Sequence, residues 1–192
     1  MYTDLEIMDI FKKYDALCEG HFLLSSGRHS AQYMQCALVL KETEYAQKLC
    51  EALAEKFRGD KVGMVIGPAL GGIIVAHEVA KALKVPALFT ERVDGVMTLR
   101  RGFSISEGER IVVVEDVVTT GKSVKEVIEL VKELKGVVVG VGSLIDRGEG
   151  VDFGVPKKNL LSLRIDTYSS DECPLCKKNV SLVKPGSRNF KK

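Results

Sequence analysis

The sequence predicts an α/β protein: a largely parallel central sheet flanked by helices, with a small N-terminal hood and a short C-terminal tail. Three observations carry this. Short apolar runs recur through the middle of the chain, at 64–66 (MVI), 87–89 (ALF), 111–114 (IVVV) and 137–144 (VVVGVGSL). Helical-period segments lie between several of them. Two of the runs also lead into turns rich in glycine or hydroxyl residues. Strands alternating with helices build right-handed βαβ units, hence a mostly parallel sheet whose ligands bind beyond the C-terminal strand ends.

Each element has a local reason. Thr3, with Glu6 three residues on, forms a capping box for a helix running to about Leu17. Short strands follow at 22–24 and 32–37, separated by the turn-rich SSGRHS. Thr43 is the expected cap of a helix over 44–57, with Tyr45, Leu49 and Leu53 inward, which Gly59 ends. A strand at 64–67 passes through PALGG into a helix over 73–83. The strand at 87–91 leads to RVDGVMTLRRGF, whose V-D-G-V centre with alternating flanks reads as a hairpin. After the strand at 111–114, Val124, Val127, Ile128 and Val131 mark a helix from Ser123. Strands at 137–144 and 160–165 complete the sheet. One domain over 1–166 is expected, with about 1–36 as the hood and 167–192 as the tail.

Composition narrows the function. A 192-residue chain with 45% apolar and 28% charged residues fits one ordinary globular domain. A net charge of +2, with basic residues scattered, argues against nucleic acid as a partner. MYTDLEIMD is acidic and lacks a secretory apolar core, and the weakly polar run 63–76 is too short and glycine-rich to span a bilayer. The five cysteines are an odd number, and Cys18, Cys36 and Cys50 fall in expected core elements, which fits reduced thiols and a cytoplasmic protein.

The chemistry concentrates in VVVEDVVTTGKS (112–123). Glu115 and Asp116 stand at a strand end, and a hydroxyl- and glycine-rich loop leads into a helix N-terminus, which favours a phosphate. The two acids would repel that phosphate; they suit sugar hydroxyls or a hydrated Mg²⁺. Better-known phosphate motifs fail. A Walker A loop needs glycine where this chain has Asp116, and Gly140-Val-Gly142 opens no helix.

The stretch resembles the ribose-phosphate signature of the type I phosphoribosyltransferases. That resemblance implies 5-phosphoribosyl 1-diphosphate held by residues 115–123. Thr119, Thr120, Gly121, Lys122 and Ser123 would cradle the 5′-phosphate. Glu115 and Asp116 would take the ribose hydroxyls, with Val117 and Val118 joining them to that loop within the same binding segment, and Asp116 would meet Mg²⁺ indirectly. Ala69, Leu70 and Gly71 in GPALGG occupy the family's diphosphate loop, although the segment also fits a strand-to-helix turn packed tightly on glycine.

EGHFLLSSGRHSAQYMQC (19–36) and SLIDRGEG (143–150) resemble segments of the orotate phosphoribosyltransferases. This implies transfer of ribose 5-phosphate to orotate in pyrimidine biosynthesis, with Thr119, Arg147, Ser26 and Arg28 around the base, and a homodimer whose mobile loop serves the neighbouring site. An Arg at a strand end can bind a carboxylate bidentately. On its own, Arg147 beside Asp146 also fits a surface ion pair, and SSGRHS a plain polar turn. Two departures stand out: Ser25 where many members have Lys, and a loop (91–103) without Lys or His. Arg92, Arg100 and Arg101 are its available cations for diphosphate. Of these, Arg92 matches a family basic position.

Two rivals share part of this pattern. A transferase for a purine or uracil would keep 115–123 and lack SSGR and Arg147. A non-catalytic sensor of phosphoribosyl diphosphate would need a DNA-binding module larger than the one helix before Glu19. In the tail, Cys173 and Cys176 form the sole Cys-x-x-Cys. With no second pair and with His21, His29 and His77 far apart in sequence, a reduced structural turn is expected ahead of intrachain zinc.

Overall fold

The computed structural model describes residues 2–24 and 26–185. Ser25 and the chain's basic end lie outside the described residues.

Ten residues form the opening helix α1 (Asp4–Lys13), and its capping box is present: Thr3 N donates to Glu6 Oε2 at 2.7 Å and Glu6 N to Thr3 Oγ1 at 3.3 Å. Ile7, Ile10 and Phe11 form its buried stripe. The antiparallel strands β1 (Leu17–Leu23) and β2 (His29–Met34) follow; β1 is longer than the sequence predicts, and β2 lies three residues earlier than expected. Residues expected to extend that second strand turn instead into a short helix, α2 (Ala37–Leu40), which buries Val39 and Leu40. Thr43 is the first residue of α3 (Thr43–Glu55) rather than its cap, and a 3-10 turn (Arg58–Asp60) contains Gly59.

The alternating region follows as β3 (Met64–Pro68), α4 (Gly71–Leu83), β4 (Ala87–Val93), β5 (Val96–Leu99), β6 (Arg110–Val118), α5 (Lys122–Glu133), β7 (Val137–Asp146) and β8 (Lys157–Ser162). These strands form a sheet ordered β5-β4-β3-β6-β7-β8, parallel except where β5 pairs with β4. The β4–β5 turn is the expected hairpin: Asp94 and Gly95 both take positive φ, 50° and 84°, as a type I′ turn requires.

Ile111–Val114 of β6 are fully buried, because a central parallel strand has both faces covered. One face packs on α3 and α4 through Leu49, Leu53, Val75 and Val79. The other packs on α5 through Val124, Val127, Ile128 and Val131. Each of those α5 side chains contributes about 1.5–3 kcal/mol by leaving water.

The hood is a second, antiparallel sheet, β1-β2-β9, in which β9 (Thr167–Tyr168) pairs with β2. The tail thus returns to the N-terminal strands. A short helix, α6 (Pro174–Lys177), carries Cys173 and Cys176 back to His21 and His29. Distance along the sequence concealed this meeting, since the histidines occupy neighbouring strands and the thiols arrive more than a hundred residues later.

Candidate active site

Strand order decides where the site lies. From β3 the chain steps outward to β4, then crosses back to lay β6 on the opposite side of β3. The loops after β3 and β6 therefore diverge and leave a crevice between them, the switch point at which open α/β sheets bind ligands. The two loops touch across it. A Cβ added to Gly71 would stand 2.5 Å from Asp116 Oδ2, so the carboxylate lies directly over the glycine. The Ala69–Leu70 peptide in this loop is cis, and Ala69 N donates to Thr90 O at 2.8 Å.

After β6 the backbone turns through Thr119, Thr120 and Gly121 around a cavity of about 190 Å³, also lined by Glu115, Lys122 and Ser123. Gly121 is required twice over: its φ is 72°, and a Cβ would come within 2.7 Å of Val151 Cγ1. It stands at the N-cap of α5, where no side chain caps the helix. Lys122 N donates to Thr120 Oγ1 at a long 3.4 Å, and the N–H groups that follow it in the first turn are left for an anion in this cavity.

The two acids differ in environment. Asp116 Oδ1 accepts from Val117 N at 2.8 Å, and Glu115 Oε1 accepts from Asp116 N at 3.2 Å. Burial, then the neighbouring Asp116 charge, pushes the Glu115 carboxyl well above its ordinary value of 4.5. In the unfolded chain it ionises near 4.5, so the stability linked to it is fully present below that pH and is lost as pH rises through the folded value. Glu115→Gln is expected to raise the melting temperature of the ligand-free protein at pH 8, with the difference shrinking to nothing below about pH 4. Melting curves across pH check this; a difference constant with pH would refute the ionisation argument.

A larger cavity, about 540 Å³, opens beside the 119–121 loop, between the hood and the strand ends. Ser26, Arg28 and Tyr33 line its hood side; Asp116, Thr119 and Arg147 line the other. Arg28 is held in place, its Nε donating to Thr167 Oγ1 at 2.9 Å and its Nη2 to Thr167 O at 2.7 Å. Arg147 does not pair with Asp146. That carboxylate takes Lys157 Nζ at 2.5 Å and Gly148 N at 2.9 Å. The Arg147 Nε is buried without a hydrogen-bond partner, and burial draws the guanidinium below its ordinary pKa. A half-buried guanidinium at a cavity wall, its Nε without a partner, suits an anionic ligand.

Known proteins resemble this chain along nearly its whole length. Residues 39–162 match the phosphoribosyl transferase domain. Over 186 residues the chain is 57% identical to the orotate phosphoribosyltransferase of Caldanaerobacter subterraneus subsp. tengcongensis, a match covering 96% of this chain and 98% of that protein. The Thermotoga maritima orotate phosphoribosyltransferase is 53% identical, with 96% and 100% covered. The chain belongs to the orotate phosphoribosyltransferase family.

The orotate phosphoribosyltransferase of Aeropyrum pernix superposes on the chain with a TM-score of 0.69 at 27% identity, covering 82% of this chain and 93% of that one. An adenine phosphoribosyltransferase from Thermoanaerobacter pseudethanolicus, 19% identical, reaches a TM-score of 0.61 over 69% of this chain and 88% of that one, a likeness of fold alone.

The segment 91–103 carries its arginines outside both cavities. Arg92 pairs with Glu126 of α5 and donates through Nη1 to Gly95 O at 2.9 Å. Arg101 forks onto Glu91, with contacts of 2.9 and 2.8 Å. Arg100 is exposed. Tyr33 is a cavity residue that sequence reasoning missed. It lies inside the quoted segment 19–36, but nothing local marks it there, and the β1–β2 pairing sets it opposite Cys18 on the hood.

Proposed function

We propose that the protein transfers ribose 5-phosphate from 5-phosphoribosyl 1-diphosphate to orotate, giving orotidine 5′-monophosphate and diphosphate. The observation carrying this is the half-buried Arg147, unpaired by Asp146 and facing the cavity that adjoins the phosphate loop. The 5′-phosphate would sit on Thr119–Ser123 (119–123), where N–H groups and hydroxyls donate to it. Glu115 and Asp116 would hold the ribose hydroxyls. Arg147 would grip the orotate carboxylate, with Ser26, Arg28 and Thr119 around the ring.

Holding phosphate, ribose and base together supplies orientation, worth up to about 7–11 kcal/mol in ideal cases. Breaking the bond to diphosphate leaves oxocarbenium character on the ribose. Orotate arrives as an anion, so no strong general base is needed. The oxygen-only donor set of Glu115 and Asp116 suits a hydrated Mg²⁺, reached through the ribose hydroxyls. When bound, that ion would offset the charge developing on diphosphate. Leu70 and Gly71 would present backbone N–H groups to the same diphosphate, while Ala69, whose N–H is held by Thr90 O, would shape the loop. Arg92, Arg100 and Arg101 would reach it when the hairpin closes, exchanging carboxylate partners for phosphate; closure would also exclude water.

A cytoplasmic homodimer is the assembly this reading favours. All five cysteines are free thiols, which suits a reducing compartment. No helix among the described residues is long and apolar enough to cross a membrane.

The direct test follows orotate absorbance with phosphoribosyl diphosphate and Mg²⁺, beside parallel reactions offering uracil and purine bases. Orotate alone is expected to be consumed, with loss of turnover on omitting Mg²⁺ and a fall of about 10²–10³-fold for Asp116→Asn. Turnover of another base instead would move the error to Arg147 and the hood. Binding of phosphoribosyl diphosphate without turnover of any base would favour a sensor.

A further inference from the structure

Four donor atoms converge behind the hood, outside both cavities of the active site: the ring nitrogens of His21 and His29 and the thiols of Cys173 and Cys176. The geometry points to a structural zinc site built from these four residues. All four lie outside the segment 39–162 that matches the phosphoribosyl transferase domain, so the site is an addition to that domain.

The spacing fits a tetrahedral shell. Zinc–nitrogen bonds of about 2.0–2.1 Å and zinc–sulfur bonds of about 2.3 Å place neighbouring donors roughly 3.3–3.8 Å apart. Here His21 Nε2 is 3.0 Å from His29 Nδ1, 3.4 Å from Cys173 Sγ and 3.7 Å from Cys176 Sγ, while Cys176 Sγ is 3.2 Å from His29 Nδ1. All four ligand atoms lie within 4.8 Å of one another. Cys173 caps α6 and Cys176 sits in its single turn, the two-residue gap that brings both thiols to one side.

Hydrogen bonding argues the same way. His21 Nδ1 lies 2.8 Å from Val180 O, a carbonyl that can only accept, so Nδ1 carries the proton and Nε2 presents a lone pair inward. That one lone pair faces an imidazole nitrogen and two sulfurs at once. Three neighbours cannot share it as hydrogen-bond donors, whereas a cation at their centre satisfies all of them. His21, His29 and Cys173 are almost wholly removed from solvent. Two thiolates with two imidazoles select zinc among common divalent ions. Binding releases the two thiol protons and requires no redox partner.

Four protein ligands close the shell, leaving no position for water or substrate, so the role is structural. The ion would fasten the tail to the hood just before Val183, whose N donates to His21 O and whose O accepts from Leu23 N, both at 2.8 Å. Two residues later Pro185 lines the acceptor cavity near Arg28. The metal thereby fixes one wall of that cavity from behind.

The test uses the full-length reduced protein. Metal analysis after incubation with zinc and gel filtration is expected to find one tightly held ion per chain. Cobalt(II) in its place is expected to give the intense visible bands of a tetrahedral ion and sulfur-to-metal charge transfer, both erased by added zinc. Cys176→Ser should abolish the charge-transfer intensity expected of two thiolates, while Cys18→Ser should leave the spectrum intact. Should Cys176→Ser not fold, the wild-type cobalt spectrum decides alone. A weak octahedral spectrum, substoichiometric metal, or a Cys173–Cys176 disulfide in the native metal-free protein would overturn the assignment.

Discussion

Replacing Arg147 with methionine is expected to stabilise the ligand-free protein while lowering kcat/KM for orotate by about 10²–10³-fold. The two effects have one origin. The guanidinium is half-buried, its Nε has no partner, and the adjacent Asp146 is occupied by Lys157. An unsatisfied buried donor costs about 1–3 kcal/mol, and partial exposure of the group discounts this to about 1 kcal/mol. Methionine keeps much of the stem's packing and removes the unsolvated charge, so the melting temperature should rise by about 2–4 °C. With orotate bound, the same group would meet a carboxylate, and losing such a charge-assisted pair costs about 2–5 kcal/mol. Arg147→Lys should recover little, because an ammonium cannot reproduce the bidentate fork. Steady-state kinetics with orotate and phosphoribosyl diphosphate varied separately, beside melting curves, check both signs. A variant that loses activity and stability together would mean that Arg147 is structural.

The legibility of this site followed from how local each signal is. The strand-loop-helix unit around 119–121 was readable because strand, acids, glycine and helix start are consecutive in 111–124, and such a unit folds as its own spacing dictates. The β4–β5 hairpin was readable for the same reason, through Asp94 and Gly95. Boundaries were less so: the strand expected over 32–37 stops at Met34, and Ala37 opens α2, which its helix propensity and the burial of Val39 and Leu40 favour. What could not be read was register between distant segments. Whether Arg147 pairs with Asp146 depends on where β8 places Lys157. Whether Cys173 and Cys176 have two more neighbours depends on the β1–β2 pairing, which sets His29 opposite Leu23, and on the tail bridging Val183 to Phe22. Pairings of this kind are tertiary facts with no local periodicity to announce them.

Gly71→Ala is expected to leave stability nearly unchanged yet to lower kcat/KM for phosphoribosyl diphosphate by about 10²-fold or more. Gly71 is the first residue of α4 and does not require positive φ, so alanine suits its backbone at least as well. What alanine cannot do is share the crevice: its Cβ would stand 2.5 Å from the Asp116 carboxylate, and that group must turn away or the loop must lift. Either movement displaces one side of the ribose and diphosphate site, and misplacement by about 1 Å is enough for 10²-fold. Gly67→Ala makes the contrast. There a Cβ would meet Gly72 O at 2.4 Å and Val114 O at 3.0 Å, which are backbone atoms of α4 and β6 that cannot swing aside. That variant should therefore lose stability, through strain between strand and helix, by about 1–3 kcal/mol. Calorimetric or fluorescence melting of both variants, with phosphoribosyl diphosphate binding measured separately from turnover, distinguishes them. If Gly71→Ala bound and turned over phosphoribosyl diphosphate normally, the apposition of the two loops across the switch point would not be what positions the substrate.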